Sequence, residues 1–345
     1  MIENSSAQLF ILGCERSGST WLSNIIDSHA SVEFFMEPFA VHINIFPGFP
    51  NRNLYIENCS MGLIELLISK YEKLPEMKYL IYTRGSNPYL RIMDSFIVLA
   101  YSNIIRILGC RPPERIRRVM ELNINRKNFM FRIISKNEQI KLFVTKELRL
   151  NFKLGILSKV FPSAKYLITV RHPGAQLSSI LRLMDKGNLG ELKQSLLSLP
   201  EYLSTNPRFG KYLHLFDRRQ WGKDIQEMLI IWWLVNYETL ISDCQKFNVD
   251  YKIIYHEDIS ENLHDISKEI FDFIELTYTR EVMSYISESS SMERAIKGPL
   301  DTTRNTSKYY KEQINKIDPL LMARINKILN SIPLIAELER YRITP

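Results

Sequence analysis

The feature that most constrains this chain is a glycine-containing turn between a strand-like apolar run and a helix-like run. The run Gln8–Leu12 leads into the turn Gly13–Thr20, GCERSGST, and a helical pattern begins at Trp21. A strand, a glycine turn and a helix N-terminus direct several backbone N–H groups at one spot, where the helix dipole adds partial positive charge. The sequence therefore predicts a phosphate or sulfate site at this turn.

The spacing of the turn matches the nucleotide P-loop, G-x-x-x-x-G-K-[ST], except at the lysine. Ser19 stands in the lysine position, and the nearest cation is Arg16, inside the turn. We also find no aspartate at the end of a later strand that would hold magnesium. These departures argue against a kinase or an ATPase. The turn alone leaves open a P-loop phosphotransferase that uses ATP, or a tight strand–helix turn whose Ser and Thr residues only cap the helix.

Composition narrows the class of protein. The 345 residues include 45 Lys and Arg against 38 Asp and Glu, a formal net charge of +7, and 45% of the chain is hydrophobic. This hydrophobic share supports a packed core and excludes collagen-like, low-complexity and disordered chains. The surplus of positive charge would suit nucleic acid, an acidic surface or a small polyanion, and composition does not choose among them.

Neither a membrane segment nor a secreted fold is expected. The longest uninterrupted apolar run, Met228–Val235, is far short of the roughly 18 residues of a bilayer span. The N-terminus has no basic leader, and we interpret its apolar run as the first core strand. Four scattered cysteines without C-x-x-C spacing disfavour a zinc site or a disulfide framework. These features predict a cytoplasmic protein.

Apolar runs followed by helical patterns recur along the chain. They are Gln8–Leu12, Leu142–Thr145, Lys165–Val170 and Tyr251–Tyr255. Such nearly continuous apolar runs are typical of parallel strands buried on both faces. We therefore predict a three-layer α/β fold, a central parallel sheet with P-loop, nucleotide-kinase-like topology and helical insertions. A helix with apolar residues between Leu263 and Ile274 should pack on the sheet.

Two stretches, at about 44–140 and 186–222, interrupt this rhythm with helical or irregular patterns. In a doubly wound fold, insertions of this kind lie on loops at the carboxyl edge of the sheet, where ligands bind. The chain has no internal repeat, no Ser/Gly linker and no block of charge. We predict a single domain over 1–345 whose two insertions shape the acceptor side of the ligand site.

A second candidate anion site follows the run Lys165–Val170. The sequence RHP, beginning at Arg171, leads into a helix that carries Ser178 and Ser179. Arg171 would lie at the carboxyl end of a buried strand, with Ser179 about two helical turns further on. A guanidinium fork and a hydroxyl that converge on one phosphate suit a nucleotide with a second anionic group. The alternative is a structural ion pair for Arg171 and no special role for Ser179.

The turns RSGSTWL and RHPGAQLSS together resemble the two donor-binding motifs of the sulfotransferases that use 3′-phosphoadenosine 5′-phosphosulfate (PAPS). Further segments resemble this family in the same order: FMEP around Glu37, KELR from Lys146, YHEDI from Tyr255 and TRNTS around Arg304. The resemblance covers about residues 8 to 310, apart from the two insertions. It implies transfer of the sulfuryl group of PAPS to a hydroxyl of a carbohydrate or glycolipid acceptor.

Two positions associate the resemblance with the carbohydrate and tyrosyl-protein branch of the family. Sulfotransferases of phenols and steroids have a lysine in the first loop and a histidine base after the strand-end lysine, where this chain has Arg16 and Leu148. Golgi members of the carbohydrate branch begin with a membrane anchor, which this sequence does not show. A bacterial relative that acts in the cytoplasm on a sugar or glycolipid precursor would account both for the resemblance to the carbohydrate branch and for the lack of an anchor.

The resemblance also implies roles for single residues. Glu37 would be the base that takes the acceptor proton, and Arg16 and Lys146 would stabilise charge on the departing phosphate, with no metal. Structural alternatives are an ion pair of Glu37 with a nearby arginine and a solvated strand end at Lys146. The donor-binding residues that it implies are Arg16, Ser17, Gly18, Ser19, Thr20, Trp21, Arg171, Ser179, Arg304 and Ser307.

A third class of function is a non-catalytic module that binds an anion, a nucleotide or nucleic acid. The chain lacks the interleaved aromatic and basic groove that such nucleic-acid binders use, so we expect no nucleic-acid partner. The expected partners are a nucleotide donor and a sugar or glycolipid acceptor. Acceptor choice depends on the two insertions, and the sequence does not indicate an oligomeric state.

Overall fold

The apolar runs of the sequence form one parallel sheet in the computed structural model, which describes residues 7–39, 46, 51–58, 60–72, 74, 140–185, 187, 189–215, 224–290, 312 and 315–342. The strands are β1 (Ala7–Gly13), β2 (Val32–Met36), β3 (Leu142–Lys146), β4 (Lys165–Val170) and β5 (Asp250–Tyr255). Their order across the sheet is β2-β3-β1-β4-β5, with every neighbouring pair parallel. All five strands therefore end at the same edge of the sheet.

Helices connect and follow the strands. In chain order the described α-helices are α1 (Ser19–Asp27), α2 (Met61–Glu72), α3 (Leu154–Val160), α4 (Pro173–Met184), α5 (Gly190–Thr205), α6 (Ile225–Lys246), α7 (His256–Glu261), α8 (Leu263–Phe273), α9 (Arg280–Ser290), α10 (Pro319–Asn330) and α11 (Ala336–Glu339). A 3-10 helix, Pro207–Leu215, follows α5.

The strand order confirms the predicted α/β fold with P-loop, nucleotide-kinase-like topology. Each predicted apolar run lies within β1, β3, β4 or β5. The sequence analysis missed β2, for a physical reason. This strand is five residues long and is partly exposed at Glu33 and Met36, because it pairs only with β3 within the described sheet. A short edge strand lacks the continuous apolar run that identified the others.

Helices cover both faces of the sheet. The side chains of β1 alternate between the two layers: Leu9 and Ile11 pack with residues of α1, α8 and α9, whereas Phe10 and Leu12 pack with residues of α3, α4 and α6. This alternation is the period of a strand between two layers. Trp232 of α6 is fully buried, as expected for an aromatic in an apolar helical run. The three-layer prediction is confirmed.

Both insertions contain helices within their described parts. Residues 60–72 of the first insertion include α2, and the second contains α5 and the 3-10 helix that follows it. Most of the first insertion lies outside the described residues. Among the described helices, none has both the length and the apolar character needed to cross a bilayer.

Candidate functional site

The turn between β1 and α1 fits closely against the ends of β4 and β5. Gly13 has φ 144°, and a Cβ there would lie 2.5 Å from Thr169 Oγ1. Gly18 has φ 97°, and a Cβ there would lie 2.6 Å from His256 Nδ1. Both distances are shorter than any real Cβ contact, and both φ values are unfavourable for other residues. The two glycines of the predicted anion motif are therefore required by the fold.

The start of α1 suits an anion. Gly18 is the N-cap residue and has no side chain to cap the helix, and no acidic residue lies in the first turn. The first N–H groups of a helix lack intrahelical acceptors, and the helix dipole favours negative charge beside them. Ser19 is buried and Thr20 half-buried at this position. The residues present thus fit a phosphate or a sulfate.

Ser17 closes the turn against β4. Its hydroxyl lies 2.7 Å from Thr169 Oγ1, and its N–H donates to the carbonyl of Cys14 at 3.2 Å. The side chain of Ser17 is almost wholly buried. In this structure, its polar groups thus shape the turn from within, while Gly18, Ser19 and Thr20 lie where α1 begins.

The one acid inside the turn is neutralised by an arginine that the sequence analysis did not single out. Arg52 Nη1 and Nη2 donate to Glu15 Oε1 and Oε2 at 2.5 and 3.2 Å. Both side chains are at most one-tenth exposed, and the Arg52 guanidinium lies 5.7 Å from the ring centre of Trp232. A bidentate pair of this kind removes the repulsion that the Glu15 carboxylate would exert on a bound anion.

The structure brings the two predicted anion motifs together. Arg171 follows β4 directly, and its Nη1 donates to the carbonyl of Arg16 at 3.0 Å. Arg16 Nε in turn donates to Ser179 Oγ, on α4, at 3.1 Å. Arg171 and Ser179 are 5% and 6% exposed, so these side chains are held in place by the surrounding protein. One basic cluster therefore joins the turn before α1 to the turn before α4.

A buried amide that the analysis missed connects the same two turns. Gln176 Nε2 donates to the carbonyl of Glu15 at 2.8 Å, and its Oε1 accepts from Trp233 Nε1 at 3.2 Å. Trp233 Nε1 also lies 3.2 Å from the carbonyl of Arg171. Gln176 is fully buried, within the motif RHPGAQLSS. The signal in the sequence that could have identified Gln176 is its place, as a polar residue, on the apolar face of the predicted helix.

The segment YHEDI supports the second turn from β5. Glu257 Oε1 accepts from the N–H of His172, and its Oε2 accepts from the hydroxyl of Tyr341, both at 2.8 Å. Burial raises the pKa of Glu257, an effect that these hydrogen bonds oppose. His172 Nδ1 accepts from the N–H of Gly174 at 3.1 Å and so caps α4. Glu257 and His172 thus fix the turn that carries Arg171.

A third cluster lies where β2 and β3 end. Met36 and Lys146 are paired in the sheet, and the N–H of Glu37 donates to the carbonyl of Lys146 at 2.8 Å. Lys146 Nζ donates to Glu37 Oε1, and Arg149 Nη1 donates to Glu37 Oε2 at 3.0 Å. Burial acts to raise the pKa of Glu37, but the two cations outweigh it and hold that pKa well below its usual range. Glu37 is therefore a carboxylate in this structure.

The three candidate groups share one edge of the sheet. Gly13, at the end of β1, lies between the end of β3, which carries Lys146, and the end of β4, which precedes Arg171. Ligands of open α/β sheets bind outside the carboxyl ends of the strands, near the point where the strand order reverses. Glu37 also has φ 49°, a left-handed conformation uncommon outside glycine.

Two predicted donor-binding residues, Arg304 and Ser307, lie outside the described residues, as does His42, near Glu37 in the sequence. Within the described part of the chain, no group of three or more His, Cys, Asp or Glu side chains is arranged to hold a metal ion. The roles of individual residues in binding and catalysis stay predictions.

Comparison with known proteins finds a family model that matches part of the chain. Residues 8–54 match the model of the sulfotransferase family, a segment that includes the turn before α1, all of β2, Glu37 and Arg52. Residues 8–54 are thus similar in sequence to sulfotransferases. No curated protein matches the chain.

Three solved structures are similar to the whole chain at low identity. The sulfotransferase domain from the curacin biosynthetic pathway is 16% identical, with 98% of this chain and 97% of that domain covered and a TM-score of 0.40. A sulfotransferase from Mycobacterium avium is 13% identical, with 96% and 78% covered and a TM-score of 0.41. A mouse sulfotransferase complexed with PAP is 12% identical, with 95% and 84% covered and a TM-score of 0.38.

Proposed function

We propose that this chain, whose residues 8–54 match the sulfotransferase family, transfers the sulfuryl group of PAPS to a hydroxyl of a carbohydrate or glycolipid. The observation that carries the proposal is the contact between the two anion motifs: Arg16 with Ser179, and Arg171 with the carbonyl of Arg16. A donor with a 5′-phosphosulfate and a separate 3′-phosphate needs two such anion sites within one nucleotide length. A simple strand–helix turn would need only the first.

The donor is held by groups at the β1 and β4 ends. The start of α1, with Gly18, Ser19 and Thr20, takes the phosphosulfate, since helix N-termini favour anions. Arg171 and Ser179 take the 3′-phosphate, for which a guanidinium provides a two-pronged contact. Trp21, in the first turn of α1, is buried and supports the nucleotide side of the site. Arg304 and Ser307, from the motif TRNTS, complete the proposed donor site.

The transfer itself uses charge at the ends of β1, β2 and β3. Glu37 takes the proton of the acceptor hydroxyl. A bond forms between sulfur and the acceptor oxygen while the bond between sulfur and the bridging phosphate oxygen breaks, and 3′-phosphoadenosine 5′-phosphate (PAP) leaves. Arg16 and Lys146 stabilise the negative charge that collects on that phosphate, an effect worth roughly 3 kcal/mol per donor.

Glu37 must become more basic when the donor is in place. In this structure, Lys146 and Arg149 lower its pKa. A phosphate beside Lys146 would compete with Glu37 for that ammonium group, and its negative charge would also raise the pKa of Glu37. Lys146 is thus proposed to serve Glu37 before the donor binds and the leaving phosphate afterwards.

The acceptor class, the location and the domain organisation belong to the same proposal. Arg16 and Leu148 occupy positions that resemble the carbohydrate branch, and α5 begins next to Arg149, so the second insertion lies beside the proposed base. We propose a cytoplasmic protein with a single domain over 1–345 and acceptor-shaping insertions at about 44–140 and 186–222.

Binding of the donor product is the first test. Saturating PAP without added metal should raise the thermal midpoint, since a ligand at about 100 times its Kd adds about 2.7 kcal/mol to the free energy of unfolding. ATP with magnesium is the comparison. A larger shift with ATP and magnesium would favour a P-loop phosphotransferase, and no shift with PAP would contradict the proposal.

Transfer is the second test. Labelled PAPS should be assayed against a panel of sugars, glycolipids, phenols and tyrosyl peptides. We expect label in the sugars or glycolipids. Label in phenols or peptides alone would contradict the acceptor class but not sulfuryl transfer. PAP binding without transfer to any acceptor, together with steeply salt-dependent oligonucleotide binding, would support a non-catalytic binding module.

A further inference from the structure

We propose that Arg149 is a positioning residue for Glu37, and that Glu191, on α5, controls how strongly Arg149 holds it. The inference rests on the proposed function, because it concerns the proposed base. It adds two residues to the site and links the base to the helix that begins the described part of the second insertion.

Arg149 divides its guanidinium among three carboxylates. Its Nε and Nη2 donate to Glu191 Oε1 and Oε2, both at 2.7 Å. Its Nη1 donates to Glu37 Oε2 at 3.0 Å and to Glu147 Oε1 at 3.1 Å. Glu191 thus receives a bidentate pair of hydrogen bonds, the strongest geometry that a guanidinium offers. Glu37 receives a contact from one nitrogen, which it shares with Glu147.

The turn that carries Arg149 is rigidly tied to the base. Glu147 is fully buried, and its Oε1 accepts from the N–H groups of Leu148 and Arg149 at 2.8 and 3.1 Å. Its Oε2 accepts from the N–H of Phe39 at 2.9 Å, two residues after Glu37. The Glu147 carboxylate therefore holds the backbone that follows β3 and the backbone that follows Glu37 in fixed positions. The Arg149 side chain, 11% exposed, approaches Glu37 from a defined direction.

The charges around Glu37 predict that removal of Arg149 and removal of the Glu191 charge shift the pKa of Glu37 in opposite directions. Arg149 and Lys146 face Glu37, and Glu147 and Glu191 face Arg149, while Arg52 acts on Glu191 through space. Without Arg149, one of the two cations that lower the pKa of Glu37 is lost, and that pKa rises. Without the Glu191 charge, the guanidinium fork becomes available to Glu37, and that pKa falls further.

The position of Glu191 at the start of α5 connects the proposed base to the proposed acceptor side of the site. Glu191 lies in the first turn of α5, where an acidic residue is favoured by the helix dipole, and its side chain is 37% exposed. The start of α5 belongs to the insertion proposed to shape the acceptor site. The same helix that borders the acceptor would then set the orientation of the base through Arg149.

The test compares Arg149→Gln and Glu191→Gln with Glu201→Gln, which removes an exposed carboxylate from the same helix. The carboxyl carbon of Glu37 is titrated by NMR in the free protein, a readout that needs no sulfuryl transfer. Arg149→Gln should raise the titration midpoint by about one pH unit or more, and Glu201→Gln should leave it unchanged. An unchanged midpoint in Arg149→Gln would overturn the proposal.

Kinetics give the second readout. The acid limb of the kcat profile should move to higher pH in Arg149→Gln and to lower pH in Glu191→Gln, and kcat at pH 7 should fall roughly tenfold in Glu191→Gln because its base is weaker. PAP affinity should stay within about twofold of wild type, since the proposed donor site includes neither Arg149 nor Glu191. Because Glu191 is partly exposed, its variant is expected to fold even if Arg149→Gln does not. If the acid limbs of the two variants shifted in the same direction, or if neither shifted, the proposal would be overturned.

The two proposals fail in different ways. Normal transfer with an unmoved midpoint and unmoved limbs contradicts the role of Arg149 alone. A shifted Glu37 midpoint in a protein that transfers no sulfuryl group supports the arrangement of Arg149 around Glu37 and contradicts the proposed function.

Discussion

The two halves of the carboxyl edge hold their cations by different means. On the β1–β4 side, Arg16 donates to a serine hydroxyl and Arg171 to a main-chain carbonyl. On the β2–β3 side, Lys146 and Arg149 are paired with the carboxylate of Glu37. A phosphate that approaches Lys146 or Arg149 must therefore compete with the Glu37 carboxylate, and charge-assisted hydrogen bonds are the stronger ones. The contrast suggests binding on one side and proton transfer on the other.

The most direct test of this difference between the two sides of the edge is the variant Glu37→Gln. The amide keeps the shape of the side chain and removes its basicity, so turnover should fall by roughly two to four orders of magnitude, the range of a lost general base. PAP affinity should hold or improve slightly, since Lys146 loses a competing carboxylate. Glu33→Gln, on β2, the strand that Glu37 directly follows, is the matched control and should retain turnover.

Two outcomes would contradict the assignment of Glu37. Loss of PAP binding in step with activity would make the ion pairs with Lys146 and Arg149 structural supports of the donor site. Turnover near the wild-type level would place the base elsewhere, and His42, five residues after Glu37 in the sequence, is then the next side chain to test.

The donor side is tested by Arg171→Ala. Loss of a charged hydrogen-bonding partner should weaken PAP by about one to two orders of magnitude, because such bonds contribute about 1.5–3 kcal/mol. Adenosine 5′-phosphate, which lacks the 3′-phosphate, should be weakened much less. Calorimetry with both nucleotides measures the difference. Arg182→Ala, an exposed arginine at the end of α4, is the control.

Equal weakening of the two nucleotides would contradict the assignment of Arg171 to the 3′-phosphate. It would indicate that Arg171 acts through its hydrogen bond to the Arg16 carbonyl, by keeping the first turn in shape.

Much of the donor side could be predicted from sequence, because its residues follow buried strands directly. The apolar runs of β1 and β4 identified the strands, and because parallel strands end at a common edge, the two anion motifs that follow these strands share that edge. The glycine spacing likewise indicated the turn before α1. Only the order of the strands had to be supplied by the structure for the two motifs to meet.

The supports of the site could not be predicted in the same way. Gln176 and Arg52 act through partners more than 30 residues away, on elements that no local pattern relates to them. Edge strand β2 lacked a continuous apolar run, so the ladder that sets Glu37 beside Lys146 was not visible. Arg149 belongs to the segment KELR, but its ion pair with Glu191 depends on where α5 begins.

A smaller effect concerns the pH at which the donor side keeps its shape. Burial and, second, the Arg171 charge lower the pKa of His172 to about 4, and its neutral Nδ1 accepts from the N–H of Gly174. An unfolded histidine titrates near pH 6.5. Between about pH 6.5 and pH 4 the unfolded chain therefore binds the proton more readily than the folded chain. The free energy of unfolding should fall as the pH falls through this window, and its full value is present above it.

His172→Gln should remove this part of the pH dependence. We expect the difference in unfolding free energy between pH 7 and pH 5 to shrink by up to about 2 kcal/mol in the variant, since each pKa unit corresponds to about 1.4 kcal/mol. Urea unfolding at both pH values measures it. His264→Gln, which removes an exposed histidine of α8, should keep the wild-type difference. If His172→Gln also kept it, protonation of His172 would not limit the stability of the turn that carries Arg171.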